Sequence, residues 1–219
     1  YSDITVFSFH PVKIITTAEG GMAVTGSEAL KEKMQLFRSH GVTRNKKLMT
    51  KESEGGWYYQ QVALGFNYRM TELQAALGIS QMQRLDEFVA KRHILQKKYD
   101  LLLEDLPIIK PYQDKDSYSA LHLYPIQIDL NSTKKSRKQV FNELRKKNIS
   151  VNVHYIPIYS HPYYEKFDFS NEILPIAENY YNRAISIPLF SIMTSLQQNT
   201  VEQALLSIFK LNNKSETIL

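Results

Sequence analysis
Apolar positions recur along the chain with two periods, and the change from one to the other marks out its elements. Ile4-Thr5-Val6-Phe7-Ser8-Phe9 is β-branched and aromatic and predicts a short, largely buried strand. Pro11 has no amide proton and biases His10 away from helical dihedrals, so the ladder stops there. Gly20-Gly21 predicts a tight reversal into a second short strand, Met22-Ala23-Val24-Thr25. A helical period follows over 28–38, capped by Ser27, with Leu30, Met34 and Phe37 facing back toward the sheet. Gly41 closes that unit, and residues 42–56, rich in Lys, Arg and Gly, read as a mobile surface loop. Thr71 and Gln74 have capping-box spacing and open a long helix over 71–91, roughly 30 Å at 1.5 Å per residue. Its stripe runs through Leu73, Ala76, Leu77, Met82, Leu85, Phe88 and Val89, and small Ala75, Ala76 and Gly78 permit close approach. The helical pattern resumes over 92–103 and ends at Pro107.

Beyond Pro107 strand and helix patterns interleave, which predicts a smaller α+β domain over 107–219 beside a first domain over 1–106. Strands are expected over 121–128, over 151–155 and over 184–188, with Pro125 favouring an edge or a bulge. Helices are expected over 136–147, with Val140, Phe141 and Leu144 inward, and over 201–210. The final residues, 213–219, are expected to fray.

Composition narrows the function classes. The 219 residues are 43% apolar and 22% charged and contain no cysteine, which excludes disulfides and thiolate metal sites. The six histidines show no tight ligand spacing, so no metal site is expected. No run approaches the roughly eighteen apolar residues of a membrane span, and no basic-then-apolar leader opens the chain. A cytoplasmic protein is therefore expected. The net charge of +5 suits an anionic ligand without establishing nucleic-acid binding, and none is expected. Tyr1-Ser2-Asp3 leads straight into a strand without an initiator methionine, which predicts an internal start.

Lys13 is the foremost chemical candidate. It sits on a bend after one strand and before another, where a partly desolvated amine can serve as the covalent anchor of an aldehyde cofactor. Ser8 can donate a hydroxyl to a phosphate oxygen or be an ordinary strand serine. His10 is either a polar neighbour facing the ligand or a hydrogen-bonded structural histidine. Trp57-Tyr58-Tyr59 and Phe66-Asn67-Tyr68 concentrate aromatic surface that an interface or a ligand cleft would bury.

Three blocks carry a family resemblance: Phe7-Ser8-Phe9-His10-Pro11-Val12-Lys13 with Thr16-Thr17-Ala18-Glu19-Gly20-Gly21, then Arg38-Ser39-His40-Gly41, then Asn67-Tyr68-Arg69-Met70-Thr71-Glu72. Their kind and order resemble the DegT/DnrJ/EryC1/StrS sugar aminotransferases. The resemblance implies an α/β chain corresponding to the C-terminal part of a fold type I aminotransferase: the end of the large pyridoxal 5'-phosphate domain, a connecting helix and the small domain. It implies Lys13 as anchor and proton carrier, Ser8 at the cofactor phosphate, and Asn67 reaching that phosphate in the other subunit of a homodimer. Arg69 would steady that loop or a substrate anion, and the basic loop would lie near nucleotide phosphates. His154, Tyr155 and Tyr159 would contact the sugar nucleotide, while His122 reads as structural. The Arg38, His122-Leu123-Tyr124-Pro125 and Val153-His154-Tyr155 blocks further resemble members that aminate C4 of a UDP-linked 4-keto-6-deoxy-N-acetyl hexose for pseudaminic acid, with glutamate as donor. The resemblance also implies an upstream portion holding the rest of the site. Competing readings are a transaminase for another nucleotide-linked keto sugar and a noncatalytic relic.

Overall fold
The computed structural model describes residues 2–167 and 174–210. The chain divides into two compact units, Tyr1–Leu85 and Asp86–Leu219. In the first, β1 (Thr5–Ser8) and β2 (Gly21–Val24) form an antiparallel ribbon with Ser8 opposite Gly21. Helix α1 (Glu28–Arg38) follows, its N-terminus capped by Ser27, whose side chain accepts from the Leu30 amide. The two-residue strands β3 (Val42–Thr43) and β4 (Gln60–Gln61) pair antiparallel and close the base of the loop between them. That loop, expected to be a mobile surface segment, is tied by Gln60, which accepts from the Thr50 amide at 2.8 Å and donates to the Lys51 carbonyl at 3.0 Å. Helix α2 (Glu72–Met82) opens with the expected Thr71/Gln74 capping box.

Two expectations fail in this unit. The first strand is exposed along its whole length, in a ribbon of only two strands. The single long helix is two: α2 stops at Met82, and α3 (Leu85–Leu102) begins after Gln83 and Arg84, where Arg84 N–H turns back to the Gln81 carbonyl. The two compact units divide between residues 85 and 86, at the start of α3. Phe88, Val89, Leu95 and Tyr99 of α3 are buried in the second unit.

The second unit holds a three-stranded antiparallel sheet in the order β5 (Ile108–Ile109), β6 (Tyr124–Ile128), β7 (Ala184–Ile187). On β6, Tyr124, Ile126 and Ile128 are buried while Pro125 and Gln127 are less so, the period-two alternation of a strand. Pro125 thus lies in the central strand, not at an edge. It is tolerated because β5 pairs only with Gln127 and Ile128, leaving Pro125 opposite no strand on that side. The strand also starts at Tyr124 rather than at 121, since the carbonyls of Leu121 and His122 accept from buried Arg92 instead, at 3.0 and 3.2 Å. The expected strand over 151–155 shrinks to a single bridge between Asn152 and Ser186.

Helix α4 (Arg137–Lys146), capped by Ser136, places Val140 and Leu144 in the core, with Phe141 packed against it. A 3-10 turn (Ile158–Ser160), α5 (Pro162–Glu165) and α6 (Pro175–Arg183) were not anticipated, and α7 (Ser195–Lys210) packs Val201, Ala204, Leu205 and Ile208 inward. The fraying expected over 213–219 falls outside the described residues. No helix among the described residues is long and apolar enough to cross a membrane.

Candidate active site
The loop bearing Lys13 is pinched off by its own backbone. Phe9 N–H donates to the Gly20 carbonyl at 2.9 Å, and Thr17 N–H donates to the Phe9 carbonyl at 3.0 Å, so residues 10–16 project from the end of the β1–β2 ribbon. Within the loop Lys13 N–H donates to the His10 carbonyl at 2.9 Å, an i to i+3 turn after Pro11. Lys13 is half-buried, and its ammonium has no ion pair or side-chain hydrogen bond among the described residues. Ser8 lies at the exposed end of β1, with Oγ 3.5 Å from the His10 amide. His10 Nδ1 accepts from Val12 N–H at 3.5 Å, and its Nε2 lies 3.8 Å from Glu19. His10 and Lys13 therefore share one loop, and Ser8 ends the strand that leads into it.

A brace that the sequence reading did not assign supports this loop. Thr17 is buried, and its hydroxyl donates to the Glu19 carbonyl at 2.8 Å. The same carbonyl accepts from Gln74 Nε2 at 3.0 Å, while Gln74 Oε1 accepts from the Thr71 amide at 3.0 Å. One side chain thus caps α2 and holds the Lys13 loop. Gly78 permits the approach, since a Cβ there would stand 2.8 Å from Thr17 Cγ2. The capping box and small residues of α2 were visible in the sequence; their partner across the fold was not.

Asn67 is fixed through its backbone. It bridges Ser39, with His40 N–H on the Phe66 carbonyl at 2.8 Å and Tyr68 N–H on the Arg38 carbonyl at 3.0 Å. Gly41, at φ 69°, and Gly65 let the two backbones touch, for a Cβ on either would overlap the other segment. Phe66 and Tyr68 stack at 4.9 Å, which leaves the Asn67 carboxamide on the opposite face of this extended segment. Asn67 and Arg69 are both exposed.

In the second unit, His154 is half-buried, with Nδ1 2.8 Å from Ser186 Oγ, and Tyr155 packs edge-on against its ring at 4.7 Å while remaining mostly exposed. Tyr159 donates to Glu178 Oε1 at 3.1 Å; loss of solvent and then the Glu178 carboxylate push its phenol above the usual range. Ser186 and Glu178 were missed because each reaches its partner only through the fold. A cavity of about 1330 Å³ in this unit, lined by residues of the 129–135 loop, α4 and α7, contains none of the candidate residues.

The first-unit arrangement can anchor a carbonyl on an amine and offers hydroxyl and carboxamide donors of the kind that hold a phosphate. Comparison with known proteins agrees with that chemistry. The UDP-4-amino-4,6-dideoxy-N-acetyl-beta-L-altrosamine transaminase of Campylobacter jejuni (serotype O:2) is 37% identical over 211 residues, covering 95% of this chain and 53% of the relative. The structure of Helicobacter pylori PseC, an aminotransferase of pseudaminic acid biosynthesis, superposes with a TM-score of 0.86 at 32% identity, over 96% of this chain and 54% of that one. Spr1654 from Streptococcus pneumoniae, in its PMP-form, gives 0.83 at 26% identity, over 96% and 54%. The chain thus spans about half the length of the curated relatives it matches. The fold is the mixed α/β fold of these aminotransferases. The DegT/DnrJ/EryC1/StrS aminotransferase family model matches residues 1–206, and the chain belongs to that family.

Proposed function
We propose that the chain supplies the anchoring lysine and the small domain of a pyridoxal 5'-phosphate-dependent sugar-nucleotide aminotransferase. The observation that carries this is Lys13 itself, a half-buried amine on a loop closed at both ends by backbone hydrogen bonds and braced by Gln74. The cofactor, when bound, supplies an aldehyde for the amine and a ring that takes up an electron pair. Lys13 Nζ would hold it covalently, and the same amine, when free, would serve as the proton carrier. Ser8 Oγ and the Asn67 carboxamide would donate to the phosphate, and His10 would contact the substrate. Arg69 steadies the Asn67 segment or a substrate anion, and His154, Tyr155 and Tyr159 contact the sugar nucleotide.

The substrate follows from likeness to the C. jejuni and H. pylori proteins: a UDP-linked 4-keto-6-deoxy-N-acetyl hexose, aminated at C4 for pseudaminic acid with glutamate as donor. Asn67 acts across a homodimer. Support comes from the neighbouring sequence, in which Trp57, Leu64, Tyr68 and Leu73 are 72% to 85% exposed, apolar side chains of the kind an interface covers. The working compartment is the cytoplasm.

The intact protein, given that keto sugar and L-glutamate, is expected to release 2-oxoglutarate and the 4-amino sugar. Lys13→Ala should lower turnover at least roughly 10²- to 10⁴-fold, the scale of a positioned proton carrier. Turnover with a different nucleotide-linked keto sugar and none with this one would refute the substrate. Dimers mixing Lys13→Ala and Asn67→Ala subunits should regain activity at one of their two sites if Asn67 acts across the interface; complete inactivity would count against it.

A further inference from the structure
Both ring nitrogens of His154 face a side chain. Ser186 Oγ, buried on β7, is 2.8 Å from Nδ1, and Asn152 Nδ2 is 3.4 Å from Nε2. The Asn152 amide is oriented by its other end, because Val153 N–H donates to Oδ1 at 2.8 Å. Its NH2 group is therefore what faces the ring. A donor opposite Nε2 needs a lone pair there, so the neutral imidazole carries its proton on Nδ1 and donates it to Ser186. The backbone holds the two brackets at a set distance: Ser186 N–H donates to the Asn152 carbonyl at 2.8 Å, and Asn152 N–H returns to the Ser186 carbonyl at 3.3 Å. Ser186 is in turn fixed in the sheet opposite Pro125.

We infer that Asn152 and Ser186 are positioning residues that set His154 in the Nδ1–H tautomer, so that Nε2 meets its ligand as a hydrogen-bond acceptor. Resting on the place proposed for His154 at the sugar nucleotide, this names the chemistry it recognises. The partner is a donor, a sugar hydroxyl or the N–H of an acetamido group, and not a phosphate oxygen, which only accepts. The 3.4 Å contact from Asn152 is long for an N–H donor and is the one such a group replaces.

Histidine ¹⁵N NMR of the intact protein under mildly alkaline conditions reads the tautomer, with His154→Gln assigning the resonance. A pyrrole-type Nδ1 and a pyridine-type Nε2 are expected at His154. Ser186→Ala should average the two shifts, and Ser186→Thr, which keeps the hydroxyl, should restore them. Asn152→Asp, an exposed and structurally mild change, should draw the proton to Nε2. An Nε2–H tautomer in the unaltered protein, or unaltered shifts in both Ser186→Ala and Asn152→Asp, overturns the inference. Titration with the UDP-linked sugar separates the two readings. Ser186→Ala is expected to weaken binding roughly tenfold, the scale of one hydrogen bond. The stated tautomer together with unchanged affinity in His154→Gln would keep the positioning role and remove His154 from the sugar site.

Discussion

In the second unit Tyr99, Tyr124, Ile126, Leu205 and Ile208 are sealed from solvent, whereas in the first Val6, Trp57, Leu64 and Leu73 stand 72% to 85% exposed. The sealed unit is held by a contiguous apolar cluster drawn from α3, β6, α4, β7 and α7. The open unit is held by backbone hydrogen bonds around residues 9–20, by the Gln74 brace and by glycine contacts at 41 and 65. Lys13 belongs to the open unit. Its position depends on directional bonds, each worth about 1 kcal/mol net, and not on a core of its own. Exposed apolar side chains occur in both units, since Tyr112, Ile176 and Leu196 of the second stand 76% to 85% exposed; what sets the first unit apart is that its described residues contribute nothing to the buried apolar cluster.

The largest expected effect is in the sealed core. Ile126→Ala should destabilise the second unit by about 2–5 kcal/mol in a chemical-denaturation midpoint; a loss below ~1 kcal/mol would mean that the core is not closed as described.

Alkaline unfolding sharpens the same contrast. Burial raises the Tyr99 phenol, and burial followed by a hydrogen bond to Asp100 raises the Tyr124 phenol, both well above the ordinary value of 10.0. A phenol raised in the folded state stabilises fully below its unfolded pKa, and that stability is lost as pH rises from about 10 upward. The second unit should therefore unfold cooperatively above pH ~10, and Tyr124→Phe should move that midpoint upward.

Gln74→Ala is expected to cost about 0.5–1.5 kcal/mol and to speed amide exchange at residues 9–20 while leaving the second unit untouched. Faster exchange in β6 or β7 would break the separation of the two units. Val6→Ala should change the stability of this chain by less than ~0.5 kcal/mol, as befits a side chain 75% exposed.

Local chemistry was legible in the sequence. Ser27 and Thr71 announced their helices by capping, and the β6 alternation sorted Tyr124, Ile126 and Ile128 inward. The loop carrying Lys13 and His10 was legible because Pro11 and Gly20-Gly21 mark its ends. What could not be read was long-range. The burial expected for β1 depends on what stacks against it, which periodicity cannot supply. Ser186 lies 32 positions from His154, and Gln74 lies 55 from Glu19, so neither pairing leaves a local trace. The interruption at Gln83 and Arg84 was hidden because the apolar stripe runs on through both helices.

The central claim is that Lys13 is the covalent anchor. Borohydride reduction of the intact, cofactor-loaded protein followed by peptide mass mapping tests it most directly. A pyridoxyl-phosphate mass increment on the peptide carrying Lys13, absent from Lys13→Ala, is the expected result. A stable increment on any other lysine, or none on a loaded protein, would contradict it.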